Sequence, residues 1–320
     1  MYILHRPDID EYRTIHHEDA ELFHEIVNNN LFDKEDKNTG AITRYENKLE
    51  LITDKVQIKK VLDEKYSSRS RTEEYTAGLP SASVINALFP WDIDYRKTGS
   101  KFNFLRWWNN TSLEDMNAQK VKNKLSTDSG TFIHLVLQLA CEDDSRIYLK
   151  KRSLKTYIEQ ACQSQEIIDM INNFEDRKEY FVDMASNTLK KFFEFELEKI
   201  FPVANELFFN TGKIQGTIDL INYYQDRLCL SDFKTSKGSV SRNQIVDKHY
   251  LNQLLIYADA LYEIGFINKK EREELDYYIY FWNWASYNSA TYQYSKEEVE
   301  KWRAYNNFII NWYTEIKNGN

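Results

Sequence analysis

The chain has 320 residues, of which 42% are hydrophobic and 15% aromatic, so it is long enough to bury a substantial core. Its formal net charge of −8 excludes a basic field over the whole surface, so any polyanion would need a local cationic patch. The three cysteines are too few and too scattered for a disulfide framework or an iron–sulfur cluster, and we expect neither. The sequence has no signal-peptide core and no apolar run of about 18 residues, which predicts a cytoplasmic protein without a membrane partner.

The first 76 residues show two helical patterns separated by a more β-prone stretch. Helices are predicted near residues 18–28 and 56–65. Between them, "AITRYENKLELIT" at 41–53 is typical of a hairpin. No pattern in this region points to a particular chemistry.

The next part of the chain is dominated by helical periodicity. The whole sequence has only 9 Gly and 4 Pro, so residues that interrupt helices are scarce, which favours long helices joined by polar loops. Apolar residues recur every three or four positions and predict helices at about 131–142, 146–161 and 165–199.

The last third changes to short β-prone segments, which indicates an α/β fold. Residues 203–209, 213–222 and 227–235 are separated by turn-like residues and predict a three-stranded antiparallel meander. The remaining predicted elements are a helix at 250–264, a strand at 277–284 and a helix at 296–316.

Two strands of the predicted meander carry aspartates where apolar residues would be usual. Side chains two apart on a strand share a face, so Asp232 and Lys234 project together, and the meander can bring Asp219 alongside them. A buried carboxylate is costly unless it is paired or binds a metal. Two carboxylates beside an ammonium suit Mg²⁺ or Mn²⁺ and a phosphate oxygen, with the lysine orienting or helping to deprotonate water.

An acid-x-Lys triplet alone carries little information, because acidic residues and lysine are both abundant in this chain. Other examples, such as Asp63 with Lys65 and Asp176 with Lys178, lie in charge-rich or helical segments and are explained as solvated faces. The triplet at Asp232 differs because it ends an apolar strand and follows a second strand with its own aspartate. The competing interpretation is an ion pair at the edge of a hairpin.

These residues, taken together, carry a resemblance to a known family. "GTIDL", then "SDFKTSKG", then "NQLLIYA" resembles the signature of the RecB-like branch of the PD-(D/E)XK nuclease superfamily. The resemblance implies that Gln253 and Tyr257, four apart on one helix face, hydrogen-bond a catalytic group or the DNA backbone. The branch also has an upstream Gly and His, matched by Gly130 and His134 in "SGTFIHLVLQ". His134 alone would more readily be a core histidine, whereas the resemblance makes it a metal ligand.

Residues 79–285 are similar, more specifically, to single-strand exonucleases related to the mitochondrial genome maintenance exonuclease and its phage counterparts. The order "LPSASVINALFPW", "FLRWWNN" and the Gly-His helix carries this likeness. It implies a restriction-endonuclease-like core, a central mixed sheet flanked by helices. It also implies a nuclease domain over 79–320 with a helical arch inserted at about 131–200, and an N-terminal accessory region over 1–78.

The resemblance implies a Mg²⁺- or Mn²⁺-dependent DNA exonuclease that acts on single-stranded DNA from a free end. Expected partners are DNA and replication or recombination proteins, in the host cytoplasm if the chain is phage-encoded. Alternatives are a structure-specific or restriction-type endonuclease, or a catalytically silent nucleic-acid-binding protein, although the intact Asp219, Asp232 and Lys234 argue against the silent form.

Further site residues follow from the resemblance and from the chemistry of cationic and aromatic side chains. Glu206, on the strand before Asp219, falls where relatives carry an acidic residue, and it would either support the metal site or pair with a basic side chain. The Phe233 carbonyl would add a metal ligand. The residues expected to contact nucleic acid are Lys237, Arg242 and Lys248, which would bind phosphates, and Trp107 and Trp108, which would stack on unpaired bases.

Overall fold

A computed structural model of the chain describes residues 1–66, 75–88, 100–142, 163, 165–172, 178–195, 200–236, 250–283 and 288–319. The chain divides into two units. The first unit comprises Met1–Arg69, Val84–Val121 and Asn307–Asn320, and the second comprises Ser70–Ser83 and Lys122–Asn306. The predicted division at residue 78 concerns functional domains and stays a prediction.

The described elements of the N-terminal part are mostly short. They are β1 (Tyr2–Arg6), a 3₁₀ turn (Pro7–Ile9), β2 (Glu11–Ile15), α1 (Asp19–Asn28), β3 (Lys34–Glu35), β4 (Ile42–Thr43), β5 (Glu50–Ile52), α2 (Lys55–Lys65), α3 (Ala82–Ala87) and α4 (Ser100–Asn110).

The remaining elements build most of the second unit. They are α5 (Leu113–Glu142), α6 (Gln165–Asn172), α7 (Lys178–Phe195), β6 (Ile200–Asn210), β7 (Gln215–Tyr224), β8 (Arg227–Ser236), α8 (Tyr250–Glu263), α9 (Lys269–Glu274), β9 (Asp276–Asn283), β10 (Asn288–Gln293) and α10 (Lys296–Asn318).

The first unit contains a small antiparallel sheet in the order β2-β1-β5. Arg6 at the end of β1 is fully buried, where its guanidinium donates to the carbonyls of Trp108 and Thr111 and pairs with Asp8. A buried charge is tolerated only with such partners, so Arg6 fastens the sheet to the end of α4.

The predicted hairpin at 41–53 is wrong. Ile42–Thr43 pairs with Lys34–Glu35, whereas Glu50–Ile52 joins the β1 edge of the other sheet. The apolar alternation of the segment was real, but strand pairing depends on partners distant in sequence. The helices predicted at 18–28 and 56–65 match α1 and α2 closely.

A five-stranded mixed sheet in the order β10-β9-β8-β7-β6 forms the centre of the second unit. β6, β7 and β8 pair antiparallel, which confirms the predicted meander. β9 then pairs parallel with β8, and α8 and α9 lie in the connection between them. Parallel strands need such a crossover connection, because a tight turn reverses the chain direction and can join only antiparallel strands.

Helices cover this sheet because its strands alternate apolar and polar side chains. In β7, Ile218 and Leu220 are fully buried, while Thr217 and Asp219, which alternate with them, are partly exposed. Residues of α5 and α7, including Phe132, pack with the sheet in one apolar cluster. Burial of this apolar surface, at about 25 cal/mol per Å², is the main stabilising term.

The long helices differ in detail from the predictions. α5 extends far upstream of the helix predicted at 131–142, and the stretch predicted as one helix at 165–199 contains the two helices α6 and α7. The helix predicted at 146–161 lies outside the described residues. Within the part of the chain that the structure describes, no helix is both long and apolar enough to cross a membrane.

Candidate active site

The two acidic strands separate at the point where their aspartates lie. The β7–β8 ladder runs from Tyr224–Arg227 to Leu220–Ser231, and beyond it β7 stays paired with β6 while β8 stays paired with β9. In place of the next ladder bond, the Phe233 N–H donates to Oδ2 of Asp219 at 2.9 Å. The sheet therefore opens beside both carboxylates.

Asp232 is the most deeply buried acid of this opening, with 1% of its surface exposed. Its Oδ2 forms an ion pair with Nζ of Lys234, as their spacing on one strand predicts. Among the described residues, Oδ1 of Asp232 has no hydrogen-bond partner. Burial, with a further contribution from Asp219, raises the pKa of Asp232 to about 7. A carboxylate in this state gains from a bound cation, which would supply the missing interaction.

Lys234 is held as an ammonium. Burial alone would lower its pKa, but the carboxylates of Asp232 and Asp219 outweigh this effect and raise it above the ordinary value. Its Nζ also lies 5.3 Å from the centre of the Tyr250 ring, a distance that allows a cation–π contact. Lys234 is therefore a hydrogen-bond donor and positive charge rather than a base. Sequence reasoning missed Tyr250, although its position three residues before Gln253 on α8 is a usable signal.

Two further donors, His134 and Glu206, converge on Asp219 of the aspartate pair. Ligand atoms of His134, Glu206 and Asp219 all lie within 4.8 Å of one another. Nδ1 of His134 is 3.5 Å from Oδ2 of Asp219. Burial, followed by the nearby Lys234 ammonium, lowers the pKa of His134 to about 4, so its imidazole is neutral and offers a lone pair. One nitrogen and several carboxylate oxygens suit Mg²⁺ or Mn²⁺.

Glu206 reaches this cluster from a distorted strand. Its φ is +44°, in the left-handed region that few residues with a side chain adopt, and the register of β6 shifts between Pro202 and Ala204. Such bulges re-aim side chains, and the associated strain, of order 1 kcal/mol or more, persists where the surroundings hold it. The sequence predicts an acidic residue on this strand, but it does not predict the left-handed backbone conformation of Glu206.

α8 presents Gln253 and Tyr257 to the same cleft. The Gln253 amide donates to the Tyr257 hydroxyl, as their four-residue spacing allows. Burial, and then the charges of Asp232 and Asp219, raises the pKa of Tyr257 well above its ordinary value. Tyr257 is therefore a neutral phenol that can act as a hydrogen-bond donor.

The cleft has a volume of about 590 Å³. Sequence reasoning missed several of its neutral polar residues, although those on α5 lie at helical spacing from His134. The missed lining residues are Thr127, Thr131 and Gln138 on α5, Tyr75 and Ser81 before α3, Ser83 in α3, and Thr217 on β7.

Gln215 fixes one wall of the cleft. Its buried amide accepts from the Thr76 N–H at 2.8 Å and donates to the carbonyls of Thr76 at 2.8 Å and Leu79 at 3.0 Å. Its backbone N–H also donates to the Pro80 carbonyl. These bonds hold the segment that carries Tyr75 and Ser81 against the strand that carries Asp219.

Gly130 allows α5 to approach β8. A Cβ at Gly130 would lie 3.1 Å from Oγ1 of Thr235, tighter than ordinary contacts. This gives a physical reason for a small residue four positions before His134, because the imidazole reaches Asp219 only from a closely packed helix.

The other predicted site residues have different outcomes. The Phe233 ring is buried in the apolar cluster, and a metal-binding role for its carbonyl stays a prediction. Lys237, Arg242 and Lys248 lie outside the described residues. Trp107, in the first unit, is 48% exposed. Trp108 is fully buried, and its Nε1 donates to Oε2 of Glu11, so the expected base stacking is corrected to a core role.

A family model described as the PD-(D/E)XK nuclease superfamily matches residues 106–320, more than half of the chain. The chain belongs to the PD-(D/E)XK nuclease superfamily. Membership agrees with the mixed sheet flanked by helices, and it indicates a metal-dependent nuclease with DNA as substrate. The His134, Glu206 and Asp219 group is a candidate for the divalent metal that nucleases of this superfamily use. A comparison with curated proteins gives no significant match.

Proposed function

We propose that the protein is a metal-dependent exonuclease that degrades single-stranded DNA from a free end. The observation that carries the nuclease chemistry is the meeting of His134, Glu206 and Asp219 with the Lys234 ammonium in one cleft, where Lys234 pairs with the buried Asp232. The metal would be Mg²⁺ or Mn²⁺, held by His134, Glu206, Asp219 and Asp232. The residues present fit such an ion, because they supply one neutral imidazole and three carboxylates, one of them with an unpartnered buried oxygen among the described residues.

The side chains of the cleft divide the work of phosphodiester hydrolysis. A divalent ion at this position would supply positive charge to the phosphate and a lower pKa for the attacking water. Lys234 would donate to a phosphate oxygen or to the water, and would stabilise the charge that develops in the transition state. Gln253 and the neutral Tyr257 would position the strand or Lys234 by hydrogen bonds. Tyr250, under the ammonium, would limit its movement.

Two features support a single strand as substrate. The cleft volume of about 590 Å³ lies within the range of about 300–1,000 Å³ usual for small ligands, which suits a few nucleotides better than both strands of a duplex. Its lining is rich in neutral hydroxyl and amide groups, which can hydrogen-bond exposed base edges or sugars. The requirement for a free end rests on the family resemblance of residues 79–285.

The test is to compare a linear single strand with the same sequence closed into a covalent circle, and with a blunt duplex, at one metal and salt concentration. We expect the linear strand alone to be degraded rapidly. Lys234→Ala should reduce the rate at least about 100-fold, as loss of one transition-state donor does. Lys213→Ala, which removes an exposed lysine paired with Glu263 in the same unit, is the matched control.

The outcomes separate the proposed activity from its alternatives. Equal degradation of the circle would replace the exonuclease with an endonuclease. Near wild-type turnover in Lys234→Ala would show that the cleft is not the active site. Absence of cleavage with every substrate, in the presence of tight DNA binding, would favour the catalytically silent form.

A further inference from the structure

We propose that the first unit carries a second binding site, for a nucleotide, separate from the catalytic cleft. The site is a pocket of about 510 Å³, here called the Arg106 pocket, which is lined by an arginine, a lysine and two aromatic residues among others. Its lining residues are Lys34, Tyr45, Arg106, Trp107, Asn110, Thr111 and Asp115.

The charges of the Arg106 pocket favour an anion. Nη2 of Arg106 is buried and has no hydrogen-bond partner among the described residues, although a buried guanidinium group strongly favours an acceptor. Lys34 adds a second cation at the rim. The one acid of the lining, Asp115, already accepts from the Ser112 hydroxyl at 2.7 Å within the cap of α5. Arg106 and Lys34 both line the pocket, which favours a phosphate, and arginine suits the geometry of a phosphate.

The aromatic side of the pocket favours a planar ring. Trp107 is 48% exposed and Tyr45 is half-buried, and both line the pocket. Accessible aromatic rings near an arginine form a usual platform for a nucleic-acid base, because every base has a π-face. An aromatic ring that carries a phosphate is therefore the ligand class that matches both halves of the pocket.

The walls of the pocket are fixed before any ligand binds. The Asn110 amide donates to the Phe32 carbonyl at 2.8 Å, and the Thr111 carbonyl accepts from the buried Arg6. The Tyr45 N–H donates to Oδ1 of Asp33 at 2.9 Å. Preorganised walls reduce the entropy lost on binding, so a small pocket can hold one nucleotide usefully.

The nucleotide could be free or could be one unit of a DNA strand. The strand form rests on the proposed function, since it takes single-stranded DNA as the ligand. The free form does not, because it needs only the chemistry of the pocket. Binding can be measured without cleavage, so a failure of the proposed exonuclease activity would not decide this question.

The experiment measures binding to the full chain in chelator, where no metal-dependent cleavage occurs. The probes are a fluorescent oligothymidylate and, in separate titrations, dTMP. Arg106→Gln removes the guanidinium, and Trp107→Ala removes the indole. Lys60→Gln, an exposed lysine of α2, and Phe201→Ala, an exposed aromatic of β6, are the matched controls. Circular dichroism melts verify that each variant is folded.

We expect the Kd to rise about fivefold or more in Arg106→Gln and Trp107→Ala and to be unchanged in the controls. A rise for the oligonucleotide alone identifies a strand site, and a rise for dTMP, alone or with the oligonucleotide, identifies a mononucleotide site. If Trp107→Ala unfolds, the result for Arg106→Gln decides. Unchanged Kd values for both probes in folded Arg106→Gln would overturn the proposal.

Discussion

Replacing Asp232 by Asn should make the metal-free fold more stable at alkaline pH while it abolishes cleavage. Asp232 is almost fully buried, and burial raises its pKa to about 7. Asn has nearly the same shape and carries no charge to desolvate, and Asp219 stays beside the Lys234 ammonium after the substitution. Active sites often contain residues that destabilise the fold but are required for activity, and Asp232 is expected to be one of them.

The size of the effect follows from the pKa. The displacement from 3.8 to about 7 means that ionising Asp232 costs about 4 kcal/mol more in the fold than in the unfolded chain. Because the folded-state pKa is raised, the protonated group favours the fold fully below about pH 4, and this contribution is lost as pH rises through 7. Roughly 3 kcal/mol disappears between about pH 5 and pH 8, and Asp232→Asn should lack this loss.

The assay is urea denaturation of both proteins in chelator across this pH range. The free energy of unfolding of Asp232→Asn, relative to wild type, should increase by roughly 3 kcal/mol from about pH 5 to pH 8. Asp276→Asn, which removes a carboxylate paired with Arg227 from the neighbouring strand, controls for the loss of one charge. Added Mg²⁺ or Mn²⁺ should stabilise wild type and not Asp232→Asn, because a ligand that binds only the folded state raises the free energy of unfolding.

Parallel pH profiles for wild type and Asp232→Asn would refute the reasoning, because they would show that Asp232 is already ionised at pH 5 in the fold. A metal-induced stabilisation of equal size in both proteins would refute the assignment of Asp232 as a ligand, whatever the pH profiles show.

Two further predictions concern His134 and Glu206, which lie with Asp219 in the candidate metal-binding group. His134→Ala should require about tenfold more Mn²⁺ for half-maximal cleavage and lose most Mg²⁺-supported activity, with His24→Ala, an exposed histidine of α1, as control. A lower melting temperature with unchanged metal dependence would instead make His134 a core histidine. At position 206, Gly should be more stable than Ala by about 1 kcal/mol, because φ is +44°, whereas at helical Glu297 the order should reverse. Equal stability of Gly and Ala at 206 would show that the backbone there is not left-handed.

The second unit was largely predictable because its information is local. Period-two alternation in β7 and β8 identifies the strands, and a strand presents residues two apart on one face, so Asp232 and Lys234 had to project together. Helical spacing likewise puts Gln253 and Tyr257 on one face of α8. These relations hold whatever the rest of the chain does.

The first unit was less predictable because its pairings are not local. β1 and β2 are joined through a 3₁₀ turn that ends at Asp10 with φ +52°, and their β-pattern is too short to stand out. β5 joins β1 over more than forty residues of intervening chain. Adjacent helical residues point about 100° apart, so only tertiary packing decides that Trp108 is core while Trp107 is exposed.

The charge of the catalytic cleft determines the conditions under which DNA can enter it. Glu206 and Asp219 line it, and Lys234, the cationic side chain in its described lining, is already paired with Asp232. A phosphate approaching the metal-free cleft therefore meets more negative than positive charge, and the chain as a whole, at −8, does not compensate. Divalent cations must enter before the strand or with it. In chelator, therefore, the cleft contributes little to DNA affinity. The affinity lost in Arg106→Gln should then be a large share of the affinity measured for wild type.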